Sequence, residues 1–518
     1  MRFGVRKADL PVSFLAFLVA LPLCVGIAVA CGVPAELGVV TAVVGGLVGG
    51  VVPGSSVQVS GPAAGLTVLV YGAVQAYGVA VLGVLVFAAG LVQLGLGALR
   101  LGRWFRAVSV SVVQGMLAGI GIALVAGQLY ALGDVRVPAT ALGAVGGLGS
   151  LPGDVDPVAL GVGGATIVVL LLWRRWGRAA RLVPGPLVAV ALASGVTSVC
   201  DLDVRRVEVR GLVAAVRVPE PADFGRLGEV GVVGTVVGLA LLASAQSLFG
   251  AVAGERLPRG REGQPRRQGQ RVDFDRELMA QGVANAVCRV LGALPLAAGG
   301  VGELSRGGPR ATVARVLYGG WLLVFVGVLF VVPEVLGVVP VAALAGLLVW
   351  AGCGLVPVRE VGVLWREHRG EVCVFGVTAG AVVVAGLFQG VVVGLALAVG
   401  KTAWDVSRVR VEVGERGDGV VVVRVVGHAT FLRLPKLLDE LEALEALEAP
   451  GGLRNLPPGR EVRLELDGLR HVDHACAAAL EGWAAARGHV VGVVAGLVAG
   501  LVAGSAVSAV VASNRSTS

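Results

Sequence analysis

Apolar residues fall in long, nearly unbroken runs between residues 12 and 402, and short polar clusters separate one run from the next. The runs cover 12–31, 36–52, 60–75, 78–98, 108–129, 157–175 and 183–199, then 229–250, 276–294, 296–306, 312–332, 336–355, 371–387 and 388–402. A helix needs about 20 residues to cross the hydrocarbon core of a bilayer. The pattern therefore predicts an α-helical polytopic membrane protein of about 14 transmembrane segments, the shorter runs falling below a full crossing. Arg2, Arg6 and Lys7 precede the first run as they would in a signal peptide, but the run continues past Ala30 and further spans follow at once. It is read as a retained first span.

After Lys401 the pattern changes. Residues 420–426 form a Val-rich strand-like run, and residues 434–447 place Leu434, Leu437, Leu438, Leu441, Leu444 and Leu447 on one helical face. Residues 462–466 alternate as a strand, and 475–487 read as a helix. Strand, helix, strand, helix predicts a small α/β domain. The expected organisation is a transmembrane domain over 1–403, a cytoplasmic domain over 408–488, and an apolar Gly-rich tail over 489–518. In that tail Gly492, Gly496, Gly500 and Gly504 recur every four residues. Such spacing suits a close-packed membrane helix, and a strand followed by low-complexity sequence suits the tail equally.

Composition agrees that the solvent is lipid. The chain is 56% hydrophobic and 15% charged with a mean hydropathy of +0.84, against about 25% charged in soluble domains. The 81 glycines would weaken soluble helices but let membrane helices approach closely. A net charge of +8 raises nucleic acid as a partner. The arginines instead sit in short clusters between spans, without aromatic platforms, so no nucleic-acid role is expected. With a cytoplasmic N-terminus, the clusters at 100–106, 174–181, 256–276, 306–310 and 359–369 all fall on the cytoplasmic side. The exception is the outer segment 201–229, where Arg205, Arg206, Arg210, Arg217 and Arg226 are mixed with acids. The seven cysteines form no CxxC or Cys/His cluster, and no disulfide, metal or other cofactor is expected. No Walker A motif occurs, which disfavours ATP-driven transport, and no enzymatic activity is expected.

Two polar interruptions carry the chemistry. Residues 53–67 are Gly/Pro-rich between apolar spans. Ser60 is placed to cap a helix, Pro62 suits its first turn, and Gly61, Ala63, Ala64 and Gly65 leave backbone N–H groups uncovered. A helix that begins inside the membrane aims those donors and its positive dipole end at the midplane, which makes an anion site without a charged side chain. A comparable break lies at 291–302, where Pro295 is followed by Leu296, Ala297 and Ala298, read as the opening of a second short helix. Paired breaks in the two halves suggest an inverted repeat whose helix N-termini face one another.

The segments DLPVSFLAFLVALPLCVGIA at 9–28 and VSGPAAGLT at 59–67 resemble the SulP/SLC26 anion transporters, most closely the bacterial sulfate and bicarbonate branch. The resemblance covers residues 8 to about 488. Residues 420–426 together with LELDGLRHVD at 464–473 look like the STAS domain that follows the transporter in that family. The resemblance implies fourteen segments in two inverted seven-segment repeats, forming a core and a gate. It implies a small inorganic anion held between the third and tenth segments, elevator-type movement of the core, a coupling cation (Na⁺ or H⁺) and a homodimer in the cell membrane.

Three features depart from the family pattern. Gln246 stands where relatives commonly place Asp or Glu to hold the coupling cation. The stretch 297–308 matches the tenth segment poorly, with Glu303 unexpected beside an anion and Ser305-Arg306 as a remnant. The STAS-like part ends abnormally, in the apolar tail. His474 follows Asp473 where signalling STAS domains carry a phosphorylated hydroxyl, so no phospho-switch is expected. A nucleobase-type permease of the same architecture is the alternative within transport, with Gln246 against it and Glu303 alone in its favour. A non-transporting membrane sensor or scaffold displaying the STAS-like domain is the alternative outside it.

Overall fold

A computed structural model of the chain describes residues 9–51, 59–102, 109–138, 140–173, 175–176, 183–216, 220–256, 273–299, 311–367, 369–407, 409–415, 421–446, 462–466, 468–485 and 490–494. The chain divides into two compact units, Met1–Ala396 and Leu397–Ser518.

The apolar runs become helices. In chain order these are α1 (Asp9–Ala30), α2 (Ala35–Val51), α3 (Thr67–Tyr77), α4 (Val79–Ala98), α5 (Val110–Leu132), the short α6 (Ala141–Gly146), α7 (Pro157–Trp173), α8 (Gly185–Val199) and the short α9 (Leu212–Ala215). There follow α10 (Val230–Arg256), α11 (Phe274–Cys288), α12 (Ala311–Val331), the short α13 (Glu334–Gly337), α14 (Val341–Leu355), α15 (Val358–Glu367), α16 (Arg369–Ala385) and α17 (Leu387–Val406). Among the described residues, six helices are long and apolar enough to cross a membrane: α1, α4, α5, Val230–Leu248 within α10, Val313–Val331 within α12, and α17. The helices α2, α7, α8 and α14, together with Ala64–Tyr77, are apolar but shorter. The chain is thus a helical, multi-pass membrane protein.

Polar side chains set several helix starts. Ser109 accepts a hydrogen bond from Ser111 N (3.3 Å) ahead of α5, and Asp273 accepts one from Arg276 N (3.3 Å) ahead of α11. One apolar cluster joins the end of α1, α2, α3, α4, α10 and α11, with Leu66, Leu82, Leu85, Leu239 and Leu296 wholly or almost wholly buried. A second joins α1, α2, α8, α12 and α14 around Tyr318 and Leu347. Helix α5 packs against α14 and α16.

Two expected spans, 60–75 and 296–306, open as strands instead of helices. The stretch 296–306 opens not as a helix but as the strand β2 (Leu296–Gly299), antiparallel to β1 (Val59–Pro62). The pairs are Val59 with Gly299, Ser60 with Ala298, Gly61 with Ala297 and Pro62 with Leu296. Backbone deep in a membrane must find hydrogen-bond partners within the protein. Two interrupted segments that meet can satisfy each other as strands, and Ser60, Leu296 and Ala297 are buried there. Residues 300–310, with Glu303, Ser305 and Arg306, lie outside the described residues.

The second unit holds a mixed five-stranded sheet: β3 (Val409–Glu415), β4 (Val421–Ala429), β5 (Val462–Glu465), β6 (Leu469–Val472) and β7 (Val490–Val494). β3 is antiparallel to β4, while β5 and β6 run parallel to it and β7 runs parallel to β5. Helices α18 (Leu434–Ala446) and α19 (His474–Ala485) bury Leu437, Leu441, Cys476 and Leu480 against Val423, Val425 and Leu464. The sheet reaches past residue 488 into the apolar tail. The four-residue glycine repeat beyond Val494 lies outside the described residues.

Candidate functional site

The crossing of β1 and β2 gathers the sequence-derived candidates. Ser60, Gly61, Leu296, Ala297 and Ala298 lie within the two strands. Ala63, Ala64 and Gly65 follow at once, in a 3₁₀ turn (Ala64–Leu66) that leads into α3. Ser60 does not cap this turn. The cap position is Ala63, with extended backbone (φ −104°, ψ 124°) and no side-chain hydrogen bond. Ser60 is drawn off by strand pairing, and its Oγ accepts a hydrogen bond from Gln281 Nε2 (3.0 Å). The first N–H groups of a helix have no intrahelical partner. An uncapped start therefore presents them, and the positive end of the dipole, to whatever lies in front.

Gln246, from α10, stands against this start. A Cβ built on Gly65 would meet the Gln246 Cδ at 2.9 Å and Oε1 at 3.2 Å. Only glycine leaves the amide that approach. Gln246 Oε1 and Thr67 Oγ1, the latter in the first turn of α3, are buried without a hydrogen-bond partner among the described residues. The site so far is neutral: backbone N–H groups, one amide and one hydroxyl. On the far side of β1, a Cβ on Gly45 of α2 would collide with the Ser60 carbonyl, so glycine is needed there to admit the strand.

The crossing is held by polar side chains not singled out from the sequence. Asn285 of α11 grips the backbone of Leu296 at both ends, accepting from Leu296 N (2.8 Å) and donating to Leu296 O (3.1 Å). Its amide also donates to Gln93 Oε1 of α4 (2.8 Å), and Gln93 Nε2 donates to Ser244 Oγ of α10 (3.2 Å). Thr41 of α2 accepts from Leu294 N (2.9 Å). Gln281, one turn before Asn285, donates to Ser60 and also to Glu277 Oε1 (3.1 Å). Glu277, Gln281 and Asn285 recur every four residues and are all buried, so one face of α11 is a polar ladder against both strands. Single amides inside apolar runs were the available signal, since polar groups within a membrane are costly unless they serve a purpose. Nearby, buried Arg315 of α12 donates to Gly49 O (3.3 Å) and lies in electrostatic reach of Glu277.

Comparison with known proteins gives consistent likenesses. The pattern of the sulfate permease family matches residues 7–378. The chain is 25% identical over 403 residues to YvdB of Bacillus subtilis (strain 168), named as a candidate sulfate transporter, covering 76% of this chain and 72% of that one. It is 26% identical over 383 residues to the bicarbonate transporter BicA of Synechocystis sp. (strain ATCC 27184 / PCC 6803 / Kazusa), covering 71% of this chain and 64% of that one. Thus the chain spans about two thirds of these relatives' length. Among solved structures it resembles the murine anion transporter Slc26a9 in its inward-facing state, with a TM-score of 0.71 at 16% identity over 93% of this chain and 84% of that one.

Proposed function

The chain belongs to the sulfate permease family, a family of membrane anion transporters and not of enzymes, and from that premise we propose that it carries a small inorganic oxyanion, sulfate or bicarbonate, across the cell membrane by secondary transport. The anion is held where β1 and β2 cross. The observation that supports this most is the antiparallel pairing of Val59–Pro62 with Leu296–Gly299, which joins the interruptions of the two halves beside an uncapped helix start and Gln246. In this reading the anion sits beside the paired strands, in front of the uncapped start at Ala63, Ala64 and Gly65, with Ser60, Gly61, Leu296, Ala297 and Ala298 forming the strand wall next to it, and the Gln246 amide donates to it.

The same reading assigns the coupling. A carboxylate at position 246 would repel an anion unless a cation sat between them. An amide needs none, so transport is not steeply dependent on Na⁺. Transport proceeds by elevator-type displacement of a core against a gate, the protein acts as a homodimer, and the N-terminus and the STAS-like domain at 408–488 face the cytoplasm. Replacing Ala64 with Leu fills the space before the helix start without touching the ladder on α11. Uptake of radiolabelled sulfate and bicarbonate into proteoliposomes should be lost in this variant while its melting temperature is kept. Wild-type affinity in Ala64→Leu would place the anion elsewhere.

A further inference from the structure

About one helical turn past its first residue, Thr67, α3 carries Tyr71 into a second polar space. A cavity of about 230 Å³ lies between the ends of α1 and α5, the start of α14 and the segment after α8. A single water requires only ~10–15 Å³. Its polar lining is Tyr71, Gln128, Arg136 and Arg205, with two cations and no carboxylate among the described lining residues. Arg205 belongs to the Arg-rich outer segment 201–229 and Arg136 to the outer segment after α5, both against the positive-inside pattern.

Both arginines are held in place by backbone. Arg205 O accepts from Val341 N (2.9 Å), its neighbour Arg206 forms a β-bridge with Pro340, and Val207 N donates to Val339 O (3.0 Å). Arg136 follows the turn after α5, which is tied by Val135 N to Tyr130 O (2.9 Å) and Asp156 N to Gly133 O (3.0 Å). Tyr71 Oη donates to Val137 O over 3.5 Å, linking the helix of the strand crossing to the cavity wall. Asp134 pairs with Arg205 (3.3 Å) from beside the cavity, with side chains 32% and 57% exposed. Arg205 is therefore poised between an internal carboxylate and anything anionic that enters.

We infer that this cavity is an outer loading site for the oxyanion, in which Arg136 and Arg205 capture it and Asp134 competes with it for Arg205, with Tyr71 standing between this site and the strand crossing. The inference rests on the transport reading for its purpose, but binding in the cavity can be tested without transport.

Two measurements are needed. In the purified full chain, sodium sulfate or sodium bicarbonate should protect Arg136 and Arg205 from an arginine-specific dicarbonyl reagent, read residue by residue by mass spectrometry. Protection should persist in Ala64→Leu, whose strand crossing is blocked. In right-side-out vesicles, Arg136→Ala/Arg205→Ala should raise the KM for uptake about three- to tenfold, in keeping with solvent-exposed charges, and high salt should erase the difference. Asp134→Asn should lower KM, since Asn tolerates the left-handed backbone at that position (φ 55°) and releases Arg205. If Arg205 only braces the fold, Asp134→Asn and Arg205→Ala shift KM in the same direction, and the inference falls. Absence of anion protection overturns it whether or not uptake occurs. Protection without any uptake upholds the cavity and overturns the transport reading instead.

Discussion

Gly65→Ala is the smallest change that separates the proposed anion site from the fold around it. The added Cβ lands 2.9 Å from the Gln246 Cδ and 3.2 Å from its Oε1. The first is closer than a real Cβ approaches and the second is tighter than an ordinary contact, so the amide must swing away. The obstacle is the far end of a flexible side chain, so the structural cost stays at the low end of the ~1–3 kcal/mol typical of overpacking. The cost to binding is larger. An amide N–H donated to an ionised acceptor contributes about 1.5–3 kcal/mol, and each 1.4 kcal/mol is about a factor of ten in affinity. The KM for sulfate or bicarbonate uptake should therefore rise about ten- to a hundredfold, with a modest fall in melting temperature in detergent. The double variant Gly65→Ala/Gln246→Ala removes the collision but not the loss of the donor. Its stability should recover while KM stays high. If uptake by Gly65→Ala is within twofold of wild type, or the double variant regains full affinity, the amide does not contact the anion.

Three further outcomes follow from the same structure. Wild-type uptake should be unchanged when Na⁺ is replaced by choline, whereas Gln246→Glu should gain Na⁺ dependence, because a carboxylate beside the anion calls for a cation; strong Na⁺ dependence in the wild type contradicts the assignment of Gln246. Asn285→Leu should lower the melting temperature sharply and abolish uptake, since it strands the buried N–H of Leu296 at a cost of about 1–3 kcal/mol, and a variant as stable as wild type removes the ladder on α11 as the support of the crossing. Burial and the neighbouring Asp473 push the Cys476 thiol up to about 12; only the thiolate reacts, so maleimide should label exposed Cys200 at pH 8 while Cys476 stays unlabelled until the pH approaches 12, and prompt labelling of Cys476 at pH 8 refutes the packing of α19 on the sheet.

The helices were legible because lipid imposes a simple rule on composition, and runs such as 78–98 and 108–129 lie within a few residues of α4 and α5. The breaks at 53–67 and 291–302 were legible as breaks, since glycine and proline interrupt apolar runs. What each break becomes was not. Ser60 before Pro62 reads as a cap when only neighbours in sequence are considered. Its strand partner lies more than two hundred residues away, at Leu296–Gly299, and no local preference reports that pairing. The opening of β2 was misread as helical for the same reason. Gln246 was picked out by its place in the family pattern, yet its contact with Gly65 depends on how α10 packs against α3. Asn285, Gln281 and Thr41 had a weaker signal, a polar side chain within an apolar run, whose meaning appears only once the backbone groups of Leu294, Leu296 and the Ser60 hydroxyl are seen to need partners. The strand β7 sits in a stretch so apolar that periodicity cannot tell a strand from a membrane helix, and only its parallel pairing with β5 decides it.

The central claim is that this chain moves a small oxyanion through the crossing of β1 and β2. Its most direct test is initial-rate uptake of radiolabelled sulfate and bicarbonate by proteoliposomes holding the purified full chain, with Ala64→Leu beside the wild type at matched protein content. The account predicts saturable uptake of at least one of the two anions by the wild type and none above empty liposomes by Ala64→Leu. Uptake of neither anion by folded wild-type protein, or equal uptake by both proteins, contradicts it.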